Sequence, residues 1–281
     1  MPYLATPRKG WENENLANYI LSRFSFIARP SSISDDLGQD FFCTLFQKSG
    51  KHLVPKNAFW IQIKSNASSY DVSPKLEYLD KLELPTFIGV ADQSELKLTI
   101  YSGEYLPLFF PYKGAPSNLT LKPCNDYPTA QNDYFTENKE GKFTVFFPKI
   151  LEISAKASEE SIQTAVNKLM EICSRVQKNI ATKNMEEHLY FLQNSDVVIY
   201  AGRGSAKVFR KNFYYRLAEL FFNLEWLLKN NPTEDILREI KFYQDFFRQL
   251  KQSNNDLPNI LQEVYNRLQE NTDKNKTATG T

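Results

Sequence analysis

Four polar residues have types and spacing that suit chemistry on a phosphate. Gln62 and Lys64 lie two apart in "AFWIQIKSN" (58–66), a run that alternates like a half-buried strand. Residues two apart on a strand project from the same face, so the amide and the ammonium sit together. Asp40 opens "DFFCTLFQ" (40–47), the preceding strand; if the two strands pair, its carboxylate reaches the same pocket. Glu14 lies at the edge of the apolar arc of a helix, three and seven residues before Ala17 and Leu21. A carboxylate, an amide oxygen and the carbonyl of Ile63 are hard oxygen donors. Such donors hold Mg²⁺, or Mn²⁺, with waters in the remaining positions. The ion would polarise a phosphoryl oxygen and acidify a bound water. Lys64 would orient that water and balance charge on the attacked phosphate. The set suits phosphodiester hydrolysis.

The elements that must position these residues are legible in outline. "WENENLANYILSRF" reads as a helix, with Leu16, Ala17, Ile20, Leu21 and Phe24 on a single arc. "FSFIARP" reads as a short strand, followed by a turn-rich loop, "SSISDDLGQD". After the two strands carrying Asp40, Gln62 and Lys64 comes "SPKLEYLDKLEL", a helix with Ser73 as N-cap and Pro74 at its first position. "PTFIGVAD" is a continuous apolar run, expected of a strand covered on both faces, and "ELKLTIYS" pairs with it through a turn at Asp92–Gln93. Residues 103–157, rich in aromatics and prolines, read as a sheet extension with long loops and one clear strand, "KFTVFFPK".

From Ser158 the period becomes helical. Ile162, Val166, Leu169, Cys173, Val176 and Ile180 form one stripe. A short helix at "MEEHLYFLQ" and a strand and turn in "SDVVIYAGRGS" precede a long helix capped by Ser205, with Phe209, Phe213, Leu217, Leu220, Leu224 and Leu228 facing inward. Pro232 and Pro258 start two more helices. The expected organisation is an α/β domain over residues 1–157, a helical bundle for assembly or regulation over 158–272, and a disordered polar tail over 273–281.

Totals narrow the classes. In 281 residues, 42% hydrophobic and 14% aromatic content supplies a sizeable core and argues against a disordered chain. A formal net charge of +1 gives no global field for a polyanion, so any such site comes from local clustering. Cys43, Cys124 and Cys173 are far apart, and His52 and His188 lack ligand spacing, so a reduced cytoplasmic chain without a zinc site is expected. No signal peptide and no apolar run long enough for a membrane span are read in the sequence.

The helix–strand–strand–strand–helix–strand order with D-x21-Q-x-K resembles the PD-(D/E)XK, or restriction-endonuclease-like, nuclease superfamily. The similarity is greatest to a bacterial domain-of-unknown-function branch with D-x-G-x-D before a strand ending Q-x-K-S. Here those motifs read "DLGQD" (36–40) and "QIKS" (62–65), and the resemblance covers residues 10 to 102. It implies an N-terminal mixed sheet flanked by helices, followed by the α-helical C-terminal domain. It makes Asp40 the metal aspartate, Lys64 the motif lysine and Glu14 the first-helix glutamate. Gln62 departs from the pattern, standing where many members carry Asp or Glu. The implied activity is Mg²⁺-dependent cleavage of DNA, as a regulated effector of bacterial defence against phage or plasmids. The helical half would mediate homo-oligomerisation or docking to a regulatory subunit.

Blander readings stand beside these. Gln62 and Lys64 are also what a one-sided sheet exposes to water, and Asp36 and Asp40 suit turn caps. The same fold without metal would serve as a nucleic-acid- or protein-binding module of a larger complex. "GRGS" (202–205) lacks a full phosphate-loop signature and reads as a turn plus cap. Arg203, Lys207, Arg210, Lys211 and Arg216 cluster without an acid among them, which fits either a nucleic-acid backbone contact or a solvated face. Trp60 and the tyrosines at 214 and 215 read as core packing.

Overall fold

The computed structural model describes residues 5–29, 39–113, 116–128, 134–185, 189–192, 195–200, 206–253 and 257–278. The chain divides into two compact units, Met1–Arg203 and Gly204–Thr281.

The first unit starts with helix α1 (Ala5–Ser22) and a meander of β1 (Ser25–Ala28), β2 (Phe41–Ser49) and β3 (His52–Lys64). Gly50, at φ +59°, lets the β2–β3 hairpin turn in two residues between Ser49 and His52. The chain then makes β4 (Tyr70–Asp71), a 3₁₀ turn (Ser73–Lys75) and the short helix α2 (Leu76–Asp80) before β5 (Thr86–Asp92). This crossover returns β5 parallel to β3, pairing Trp60 with Thr86 and Lys64 with Val90. Strand β6 (Lys97–Ser102), helix α3 (Leu106–Lys113), and strands β7 (Leu119–Cys124), β8 (Phe135–Glu137) and β9 (Phe143–Ser154) follow. The mixed sheet has nine strands in the order β1-β2-β3-β5-β6-β9-β7-β4, with β8 also on β9. The helix–three strands–helix–two strands order expected over residues 10–102 is present, with β4 inserted.

Strand alternation sorts the two faces. Phe41, Cys43, Phe59, Ile61, Ile63, Phe87 and Leu98 pack with Ala17, Ile20 and Leu21 of α1 and with helix α4 (Glu159–Asn184). Ile88, Tyr101 and Val145 pack on the other face with Leu79 of α2 and Leu106, Phe109 and Phe110 of α3. Strand β4 leaves β3 through residues 65–69 yet pairs with β7 at the far end of the strand order. The sheet therefore curls round on itself.

Several expectations need correction. The stripe from Ile162 to Ile180 is buried as predicted, but it packs on the sheet, so α4 belongs to the first unit. The division falls after residue 203 instead of near 157. "LPLFFPYK" is helical (α3) despite Pro111, because Leu106, Leu108, Phe109 and Phe110 are all buried by it. "HLYFLQ" supplies β10 (Leu189–Leu192), paired with β11 (Ser195–Tyr200), where a short helix was predicted. Asn179 fixes that strand, accepting the Phe191 N–H and donating to the Phe191 carbonyl, each at 2.8 Å.

The second unit packs helices α5 (Ala206–Asn230), α6 (Glu234–Ser253) and α7 (Asn259–Ala278) around Phe221, Leu224, Leu228, Ile240, Phe247 and Leu261. The inward stripe of α5 runs through Tyr214, Leu217 and Phe221, whereas Phe213 is 38% exposed. Helix α7 continues to Ala278, into the stretch predicted as a polar tail. Among the described residues no helix is long and apolar enough to cross a membrane.

Candidate active site

The pairing that brings Asp40 to Gln62 and Lys64 is present. Phe41 pairs with Ile61, and Asp40 lies one residue beyond, its N–H donating to the Ile61 carbonyl at 3.1 Å. There the main-chain ladder of β2 ends. The Asp40 carboxylate bridges to β3 instead, its Oδ2 accepting the N–H of Ile63. One carboxylate oxygen is thus tied to the peptide between Gln62 and Lys64. A carboxylate held by a backbone donor has a fixed direction, which a metal or a phosphate-binding lysine requires.

Gln62 and Lys64 are half-buried and point away from α1, since Ile61 and Ile63 fill the face towards it. They line a cleft of ≈ 280 Å³ inside the curl of the sheet, with Gln39, Tyr70, Asp71 and Lys75 among its other walls. The Lys64 ammonium lies 5.0 Å from the centroid of the Tyr70 ring. Burial lowers the Lys64 pKa; Asp40 opposes that shift and Lys75 adds to it. The turn after β4 sets the rest of this wall. Asp71 accepts the Ser73 N–H at 2.9 Å and the Ser73 hydroxyl, which hold its pKa low. Ser73 in turn accepts the Leu119 N–H at 3.1 Å, tying the turn that carries Lys75 to β7. Ser73 was predicted as an N-cap; no side chain caps α2, and Asp71 organises the turn.

Glu14 is half-buried on α1. Its neighbour Asn13 accepts a hydrogen bond from Gln93 Nε2 at 2.9 Å, so this part of α1 lies at the β5–β6 turn. Since β3 and β5 are parallel, that is the end of the sheet where β3 reaches Lys64. Glu14 therefore sits at the same end of the sheet as Lys64, on the helix that covers the face opposite to Gln62 and Lys64.

Trp60 is half-buried against Phe42, 5.1 Å between centroids in an edge-on pair, which agrees with the packing expectation. His52 is exposed at the start of β3. In the second unit, Arg210, Lys211 and Arg216 are exposed, with Lys211 6.0 Å from the ring of Tyr215. Tyr214 is buried as expected, and Tyr215 is 51% exposed, contrary to expectation. Asp36, His188, Arg203 and the "GRGS" turn, with the side chains of Lys207 and Phe209, lie outside the described residues.

Sequence reasoning missed Gln39, Tyr70 and Lys75. Gln39 sits beside Asp40, at the end of a turn-rich segment whose composition carries no sign of a cleft. Tyr70 and Lys75 carry no local signal, because the curl that brings them to Lys64 depends on β4 pairing with β7.

The donors present suit only one kind of divalent site. Among the described residues, no group of three or more His, Cys, Asp or Glu side chains is placed to hold a metal. What lies at or beside the cleft is the Asp40 carboxylate, whose Oδ2 already accepts the Ile63 N–H, with the Gln62 amide and main-chain carbonyls. That fits Mg²⁺ in the manner usual for phosphoryl chemistry, with one carboxylate, retained waters and substrate phosphate oxygens, and does not fit an all-protein cage.

No protein-family model matches the chain, and no curated protein or solved structure matches it significantly.

Proposed function

We propose that the first unit is a Mg²⁺- or Mn²⁺-dependent nuclease acting on DNA. The observation that carries this reading is the bridge from Asp40 to the Ile63 N–H, which fixes a carboxylate beside the strand whose Gln62 and Lys64 line a cleft. Asp40, Gln62 and the carbonyl of Ile63 are the protein groups that would hold the ion. When bound, the ion would supply charge neutralisation at the phosphate and a more acidic water. Lys64 binds the attacked phosphate and directs the nucleophilic water towards it. Its low hydration in the cleft strengthens that contact. Glu14 assists from the end of the sheet. A cytoplasmic effector of anti-phage or anti-plasmid defence, restrained by an oligomer or a regulatory subunit on the helical unit, suits such an activity.

The test is incubation of the full chain with supercoiled plasmid and Mg²⁺ or Mn²⁺, beside Lys64→Ala. Metal-dependent nicking that disappears in Lys64→Ala is expected. Equal nicking by both proteins rules the mechanism out.

The exposed Arg210 and Lys211 favour binding of the DNA backbone on α5 as part of the same reading. Reversing both charges should flatten the salt dependence of DNA affinity by roughly one logarithmic unit for each phosphate no longer neutralised. An unchanged slope returns them to a solvated face.

A further inference from the structure

The cleft beside Lys64 has two kinds of wall. One is polar and carries Lys64 and Lys75. The other is apolar: Val72, Leu79, Ile88 and Leu121 line it and none is more than 8% exposed. These four belong to the core packed between the sheet, α2 and α3, so the cleft opens onto an apolar floor. The volume, ≈ 280 Å³, lies at the small end of ligand pockets and admits one ring system but not a stacked duplex.

Gln39 points to what enters. It is 3% exposed, it lines the cleft, and its Oε1 has no hydrogen-bond partner. A buried acceptor is costly to leave unpaired, so its presence here calls for a donor from a ligand. Tyr70 adds an aromatic wall to the same cleft, next to the Lys64 ammonium.

We propose that the cleft receives a single nucleobase drawn out of the stack. An N–H on the edge of the base donates to Gln39 Oε1. Its ring lies among Tyr70 and the apolar wall, and its own phosphate stays at Lys64 and Lys75. Enzymes that read an extruded base combine these elements: a snug pocket, aromatic or apolar contact, and hydrogen bonds to the base edge. The proposal rests on the nuclease reading and narrows its substrate to single-stranded or locally unpaired DNA, where unstacking costs least.

The test uses the full chain in EDTA, so that binding is read without cleavage. Fluorescence anisotropy compares a labelled single-stranded oligonucleotide with an abasic strand of equal length. The base-bearing strand should bind about tenfold tighter. Gln39→Leu and Tyr70→Ala should each reduce that preference, read as the ratio of the two affinities. Equal affinity of the wild type for the two strands overturns the base pocket, and metal-dependent nicking in the same preparation would leave the nuclease reading intact. A base preference untouched by both substitutions also overturns it, since the bases are then read elsewhere. No affinity for either strand overturns the pocket, while plasmid nicking with Mg²⁺ tests the nuclease reading separately.

Discussion

The carboxylate of Asp40 leaves its own strand and accepts the backbone N–H of Ile63 on the next. This single bond converts strand pairing into site geometry, since Ile63 separates Gln62 from Lys64. It also makes Asp40 part of the fold. Asp40→Asn keeps an acceptor oxygen for the Ile63 N–H but removes the charge. Its urea midpoint should stay close to wild type, with a loss of about 1–2 kcal/mol at most. Mg²⁺-dependent nicking should fall on the order of a hundredfold or more. Unfolding without a selective loss of activity would make Asp40 purely structural.

Lys64 gives a stability signature that is independent of any substrate. Its folded-state pKa is lowered, chiefly by burial, so the charged form is disfavoured in the folded chain. Between the folded value and the ordinary lysine value the unfolded chain binds more protons, and stability contributed by this group rises with pH there. Below that window the buried charge is a standing cost. Lys64→Met should raise the thermal midpoint at neutral pH. The gap should close as pH rises through the folded-state pKa into the alkaline range. A Lys64→Met protein less stable than wild type at neutral pH would show that Asp40 and Tyr70 outweigh the burial.

Away from the cleft, Glu104 is fully buried and its Oε2 accepts from Arg175 Nη2 at 3.1 Å and Nε at 3.3 Å. Burial raises the Glu104 pKa, and Arg175 is the main force against that rise. Arg175→Met strands the carboxylate and should cost about 3–5 kcal/mol near neutral pH. The cost should shrink as pH falls and Glu104 takes up a proton. Adding Glu104→Gln should recover much of the loss. Urea unfolding at neutral and acid pH checks both statements; a loss equal at the two pH values would show that packing, not charge, dominates.

Much of this site is legible in the sequence because its parts follow local periods. The period of two in "AFWIQIKSN" put Gln62 with Lys64, and the order of strands put Asp40 beside them. Both relations are short in sequence, and alternation alone fixes the face. Helical period likewise identified the Ile162–Ile180 stripe of α4. Period shows that a face is buried and not what buries it, so the stripe was assigned to a separate bundle although it covers the sheet. Tyr70 and Lys75 escaped for a related reason. Their place in the cleft depends on β4 meeting β7, with Tyr70 opposite Leu121, a long-range pairing that no short segment encodes. Helix α3 was hidden by Pro111, whose poor propensity in a helix interior is overridden by the burial of four large apolar side chains nearby.

The most direct measurement concerns Gln62, the neutral residue at a position where a carboxylate is the more effective metal ligand. Plasmid nicking should be followed across a Mg²⁺ titration for the wild type and for Gln62→Glu. If Asp40, Gln62 and Lys64 form a metal-dependent site, Gln62→Glu nicks DNA with its half-maximal Mg²⁺ concentration lowered about tenfold, as an added charged ligand requires. An unchanged Mg²⁺ dependence, or no metal-dependent nicking by either protein, would contradict the account.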